Sequence, residues 1–64
     1  MVTWTKQTVV GYDGNGKAIN YCEGSCLSTD VKPTSNIGNG STLLEMNTSK
    51  VFAFNQDAGT WVQL

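Results

Sequence analysis

The last third of the sequence, residues 40–64, most constrains the fold, because short apolar runs alternate there with turn-forming residues. Runs rich in β-branched, aromatic and aliphatic residues predict three short strands, at 41–46, 51–55 and 60–64. The segments between them contain Asn, Ser, Asp and Gly, which are typical of tight turns. The pattern therefore predicts a three-stranded antiparallel meander over residues 41–64.

Both faces of this meander are apolar. If each turn is a four-residue loop, Met46 lies opposite Val51, Leu44 opposite Ala53, and Phe54 opposite Trp61. Side chains alternate along a strand, so one face, the aliphatic face, consists of Leu44, Met46, Val51, Ala53, Val62 and Leu64. The other, the aromatic face, consists of Leu43, Glu45, Phe52, Phe54, Trp61 and Gln63. An antiparallel sheet commonly has one solvated face, so this meander has an extra apolar face to cover.

The first third of the sequence predicts a hairpin over residues 2–23. Residues 2–10 alternate in the threonine-rich manner that favours a strand. The Asp-Gly and Asn-Gly dipeptides at 13–16 are strong hairpin signals. This loop predicts three cross-strand pairs: Val10 with Ile19, Thr8 with Tyr21, and Lys6 with Glu23. We therefore expect one all-β domain, a small antiparallel sheet built from this hairpin and the meander.

Residues 24–40 form a long connection, rich in Gly, Ser, Thr and Asn, that contains the only proline, Pro33. A long structureless loop is improbable inside a compact domain. We therefore expect this segment either to lie along a neighbouring subunit or to bridge the two halves of the sheet.

Length and charge restrict the classes of function. A chain of 64 residues buries little apolar surface, and such domains usually rely on a disulfide, a metal or a partner. Four lysines and five acids, a net charge of −1, form no basic stripe for nucleic acid. No apolar run approaches the ~20 residues of a membrane span, and no signal peptide is recognisable. The sequence thus predicts a soluble protein made inside the cell, without nucleic-acid or membrane partners.

Catalytic and metal-binding chemistry is not expected. The chain has no histidine, and its two cysteines are too few for a tetrahedral zinc site. Cys22 and Cys26 lack the spacing and surroundings of a redox motif, which leaves two free thiols or a small disulfide loop. No base accompanies any candidate nucleophile. We predict neither an enzyme nor a cofactor.

Exposed aromatic residues could either stack against sugars or bases or be buried against another subunit. The marginal core expected of so short a chain favours burial. The predicted interface residues are Leu43, Phe52, Phe54, Trp61 and Trp4.

The second half of the chain resembles short modules of virion structural proteins from tailed bacteriophages. The resemblance lies in Pro33-Thr34, Gly40-Ser41-Thr42, Glu45-Met46-Asn47-Thr48, Lys50-Val51-Phe52-Ala53-Phe54 and the later Trp61. Such modules often carry G-S-x-x-x-E-M-D-T-x-K-x-Y-x-F followed by Trp, so Asn47 and Phe52 depart mildly from the pattern.

The resemblance implies a capsid-associated structural protein, such as a decoration or minor head protein. Its partners would be other capsid or tail subunits, with a homo-oligomer expected, and it would reside in virions assembled in the host cytoplasm. The alternative is a small β module that binds a carbohydrate or a host protein through the aromatic face.

Overall fold

Five strands form one sheet in a computed structural model that describes residues 1–64. The strands are β1 (Thr3–Tyr12), β2 (Ala18–Cys26), β3 (Thr42–Glu45), β4 (Lys50–Asn55) and β5 (Thr60–Gln63). They lie side by side in chain order. The predicted all-β fold, a hairpin followed by a meander, is confirmed. The fold contains no helix of the length and apolar character needed to span a membrane.

The hairpin β1–β2 is closed by the side chain of Asp13. Its Oδ1 atom accepts hydrogen bonds from the backbone N–H groups of Asn15, at 2.8 Å, and Lys17, at 2.9 Å. Gly16 adopts a φ of 80°, a left-handed conformation that glycine adopts without steric cost. The Asp-Gly-Asn-Gly segment therefore forms the predicted turn.

The register of the hairpin agrees with two of the three predicted pairs. Thr8 pairs with Tyr21 and Lys6 pairs with Glu23, as expected. The predicted pairing of Val10 with Ile19 is wrong, because the register shifts between Val9 and Gly11 and places Gly11 opposite Ile19. A second shift lies between Trp4 and Lys6. Such bulges insert a residue that alternation along the sequence does not reveal.

The meander has the predicted faces but a different register at its first turn. Phe54 pairs with Trp61, as predicted. Leu44 pairs with Val51 instead of Ala53, and Met46 does not pair with Val51, because the turn spans residues 46–49. The N–H of Ser49 donates to the carbonyl of Glu45 within this turn, at 2.9 Å. Since the register moves by two residues, every side chain keeps its predicted face.

The two halves join through a parallel contact between β2 and β3, so the sheet is mixed rather than wholly antiparallel. Parallel neighbours require a long crossover connection, which residues 27–41 provide; we call this segment the strap. Before β3 begins, Asn20 donates its N–H to the carbonyl of Asn36, at 2.9 Å, and accepts from the N–H of Gly38, at 2.6 Å. The expectation that the long connection bridges the sheet halves is confirmed.

Ser41 completes this junction where the chain bends at Gly40, which has a φ of 85°. The Ser41 hydroxyl accepts from the N–H of Cys22, at 2.9 Å, and donates to the carbonyl of Gly38, at 2.7 Å. Its oxygen thus replaces a strand carbonyl that the bend has removed. Both Ser41 and Cys22 are fully buried, where an unpaired N–H would be costly.

Candidate interaction surface

The aromatic face forms the core side of the sheet. Residues that pair across adjacent strands form a row over four strands, from Trp4 through Gly24 and Leu43 to Phe52. The next row contains Phe54 and Trp61, whose ring centroids lie 5.1 Å apart in an edge-on arrangement, the geometry that aromatic pairs prefer. The structure therefore places all the predicted interface residues on one face: Leu43, Phe52, Phe54, Trp61 and Trp4.

The strap covers this face. Ile37 is buried against Cys22 and Phe54, with Trp4 and Trp61 packed around them. The indole N–H of Trp61 donates to the carbonyl of Pro33 in the strap, at 2.9 Å. This contact binds the strap to the last strand of the sheet.

An ion pair anchors the strap at a second point. Lys32 Nζ lies 2.7 Å from Glu45 Oε2, and both side chains are largely buried. The same ammonium lies 4.4 Å from the centroid of the Phe52 ring, as in a cation–π contact. The Thr48 hydroxyl donates to Glu45 Oε1, at 2.6 Å. The hydrogen bond from Lys32 is the main cause that lowers the pKa of Glu45, and the hydrogen bond from Thr48 lowers it further. This role of Lys32 was not predictable from the sequence, since no local pattern links Lys32 to Glu45.

The aromatic face is thus covered by the protein's own strap, and no second subunit is required to cover it. Leu43 is 0% exposed and Phe54 is 3% exposed. Trp4, Phe52 and Trp61 are half-buried. The interface role predicted for these five residues stays a prediction, but two of them have almost no surface left for a partner.

The aliphatic face, in contrast, lies open. Its exposed fractions are Leu44 38%, Met46 62%, Val51 37%, Val62 46% and Leu64 76%. Ala53 lies among them, opposite Val62 on β5. On the hairpin half of the sheet, the cross-strand pairing places polar residues on the same side: Lys6, Thr8, Tyr21, Glu23 and Ser25. The structure therefore presents an uncovered apolar patch with a polar border, the usual arrangement of a protein interaction site.

The polar border is itself ordered. Tyr21 donates its hydroxyl to Glu23 Oε2, at 2.7 Å. This hydrogen bond to the carboxylate raises the pKa of the Tyr21 phenol, since it stabilises the protonated form. The aliphatic face thus meets a fixed polar edge on its β2 side.

The two cysteines are free and belong to the core. Cys22 is 0% exposed and Cys26 is 3% exposed, and burial raises the pKa of both thiols. They stand four positions apart on the extended strand β2, which is about 13 Å, whereas a disulfide needs Cα atoms within about 7 Å. The disulfide alternative left open by the sequence is therefore ruled out in this fold. Such thiols act as small apolar side chains.

One shallow cleft of about 250 Å³ opens between the hairpin turn, the strap and the end of β4. Its lining includes Asp13, Asn36, Gln56 and Phe54. Asn36 donates its side-chain amide to Asp13 Oδ2, at 2.9 Å, and this contact lowers the pKa of Asp13. No group of three or more His, Cys, Asp or Glu side chains lies close enough together to hold a metal ion.

Comparisons with protein-family models, curated proteins and solved structures found no match.

Proposed function

We propose that this chain is a non-enzymatic structural protein of a tailed-bacteriophage particle, associated with the capsid as a decoration or minor head protein. It packs on other virion subunits through the aliphatic face. The observation that carries this proposal is the uncovered apolar surface of the meander, where Leu44, Met46, Val51, Val62 and Leu64 are between 37% and 76% exposed.

The composition of the aliphatic face favours a protein partner. None of its six residues is charged, and depletion of charge is typical of the buried centre of an interface. The strap lies on the other face of the sheet and leaves this one uncovered. Burying such side chains on a neighbouring subunit would stabilise the assembly by about 25 cal/mol per Å² of apolar surface removed from water.

The residues that resemble phage virion modules have structural roles in this fold. Gly40 supplies a positive φ, Ser41 completes the strand junction, and Glu45 holds Lys32. The Asn47 side chain accepts from the N–H of Ser28, at 2.9 Å, and donates to the Ser28 hydroxyl, at 2.8 Å. The Asp that is common at this position could accept both hydrogen bonds, so the two residues are compatible with the same contact.

The alternative function, a module that binds a carbohydrate or host protein through the aromatic face, has less support. Stacking on a sugar requires an open ring face, and Phe54 is 3% exposed. The Trp61 N–H, which could otherwise bind a hydroxyl group, is donated to Pro33.

A particle-association experiment tests the proposed function. Leu44→Lys places a charge within the aliphatic face, beside Val51, at a position that is exposed in the isolated chain. Thr8→Lys is the matched control, since it adds the same charge to the exposed polar border of the same surface. The tagged variants are produced during infection by the phage that encodes the chain, and particles are separated on a density gradient.

We expect the wild type and Thr8→Lys to sediment with particles and Leu44→Lys to remain with free protein. Circular dichroism of the purified variants checks that all three are folded. A folded Leu44→Lys variant that enters particles as efficiently as the wild type would exclude the aliphatic face. A wild-type chain absent from every particle fraction would exclude the virion role itself.

A further inference from the structure

The outer edge of β5 has free backbone hydrogen-bonding groups. In an antiparallel pair, alternate residues direct their N–H and C=O groups towards the neighbouring strand. Leu64 donates its N–H to Val51 on β4, at 2.9 Å, so Val62 and Thr60 also face β4. Trp61 and Gln63 therefore direct their backbone groups away from the sheet. No other backbone or side chain forms a hydrogen bond with these groups.

The opposite edge of the sheet, β1, carries two features that discourage pairing, and β5 lacks both. Strand β1 contains two register shifts and a lysine, Lys6, and both bulges and edge lysines discourage the addition of a further strand. Strand β5, Thr-Trp-Val-Gln, has no charge, no proline and no register shift. The two edges thus differ in the features that normally prevent edge-to-edge association.

We propose that two copies of this chain pair through their β5 strands, antiparallel and related by a two-fold axis. Trp61 would then lie opposite Gln63 of the second copy, and the outward N–H and C=O groups of both residues would bond across the axis. Val62 would lie opposite Val62 of the second copy, on the side of the aliphatic face. A two-fold contact uses the same surface on both subunits, and an uncharged β5 presents no like charges to its own copy.

This pairing would join the two aliphatic faces into one continuous apolar surface, because Val62 belongs both to the edge strand and to that face. The inference rests on the proposed function for the use of the joined surface by a particle. The pairing itself concerns the isolated protein, so it can fail while the virion role holds.

Gln63→Pro tests the edge directly. Proline lacks an N–H, and at position 63 it removes a donor that faces outward while leaving the hydrogen bonds between β4 and β5 in place. Gln63→Ala is the matched control, since it shortens the same side chain and keeps the N–H. Analytical ultracentrifugation over a concentration series should show wild type and Gln63→Ala as dimers and Gln63→Pro with a dimer at least about tenfold weaker.

A charge-swap pair tests the symmetry of the contact. Val62→Lys and Val62→Glu each place like charges opposite one another across the axis, which destabilises a cross-strand pair. Each variant alone should therefore be monomeric, and an equimolar mixture should form a heterodimer, detected by native mass spectrometry. Val62 is 46% exposed in the single chain, so both substitutions are compatible with the fold.

The outcomes separate the possible contacts. A wild type that stays monomeric at all concentrations would overturn the proposal, and particle binding by that monomer would leave the proposed function intact. A dimer that is unaffected by Gln63→Pro would also overturn it, since face-to-face packing does not need the edge N–H. If the mixture of Val62→Lys and Val62→Glu forms no heterodimer, the two-fold register at Val62 is excluded.

Discussion

Gly24→Ala should destabilise the fold strongly, although it adds only one methyl group. Gly24 lies beneath Trp4 at the register shift between β1 and β2. A Cβ atom at this position would lie 2.2 Å from the carbonyl oxygen of Thr3 and 2.8 Å from Cε3 of Trp4. The indole ring could tilt away, but the carbonyl belongs to the backbone of a paired strand. Alanine therefore requires either displacement of β1 or loss of the bulge.

The expected cost follows from this geometry. Inserting a methyl group into a well-packed site typically costs about 1–3 kcal/mol, and a clash with backbone favours the upper end. For a domain of this size, each kcal/mol lowers the melting temperature by about 4–8 °C. A loss of about 3 kcal/mol therefore predicts a fall of about 12–24 °C. It would also remove a large part of a total stability of about 3–10 kcal/mol.

Thermal unfolding followed by circular dichroism measures this loss. Gly11→Ala is the matched control, because Gly11 also lies on the hairpin at a register shift and a Cβ there would meet nothing within 4 Å. We expect Gly11→Ala to change the free energy of unfolding by no more than about 0.5 kcal/mol. In a Trp61→Phe background, Trp4 emission should shift to the red in Gly24→Ala. Equal melting temperatures for the two alanine variants would show that the Thr3 carbonyl and Trp4 leave room for a methyl group at position 24.

Three further predictions concern the ion pair and the thiols. The pKa of Glu45 lies below its ordinary value of 4.5 because Lys32 stabilises the carboxylate. The stability that the Glu45 carboxylate contributes is therefore present above pH 4.5 and is lost as the pH falls through the lowered pKa. Urea midpoints measured from about pH 7 to about pH 3 should fall less in Glu45→Gln than in the wild type, and equal slopes would contradict this assignment. Cys26→Ser should lower the free energy of unfolding by about 1–3 kcal/mol relative to Cys26→Ala, because it buries a hydroxyl where the thiol has no hydrogen-bond partner. Neither Cys22 nor Cys26 should react with a thiol reagent until urea unfolds the chain, and rapid labelling of the folded protein would show that the core is open.

The sequence predicted those parts of the fold that depend on neighbours along the chain. The turn at 13–16, the turn at 56–59 and the two faces of the meander all follow from local chemistry and from alternation. The shift at Gly11 was not predictable, because a bulge changes the register without changing the composition of either strand.

The covering of the sheet could not be predicted in the same way. The parallel contact of β2 with β3 and the contact of Lys32 with Glu45 join residues that are distant in sequence and follow no repeating pattern. The sequence indicated two apolar faces correctly, but the choice of which face the strap covers depends on these distant contacts. Gly24, which the sequence assigned to the long connection, lies within β2 beneath Trp4, and a glycine within a strand often marks a close approach by a neighbouring group.

The mixed topology also predicts an order of events during folding. The hairpin and the meander each pair residues that are close in sequence, and such hairpins form in about 1–10 μs. The contact between β2 and β3 must wait until the strap closes. Loop-closure entropy grows slowly with length, by about 0.6 kcal/mol for each doubling. The two halves would therefore form first with Cys22 and Phe54 still in water, and closure of the strap would determine when they become a single sheet.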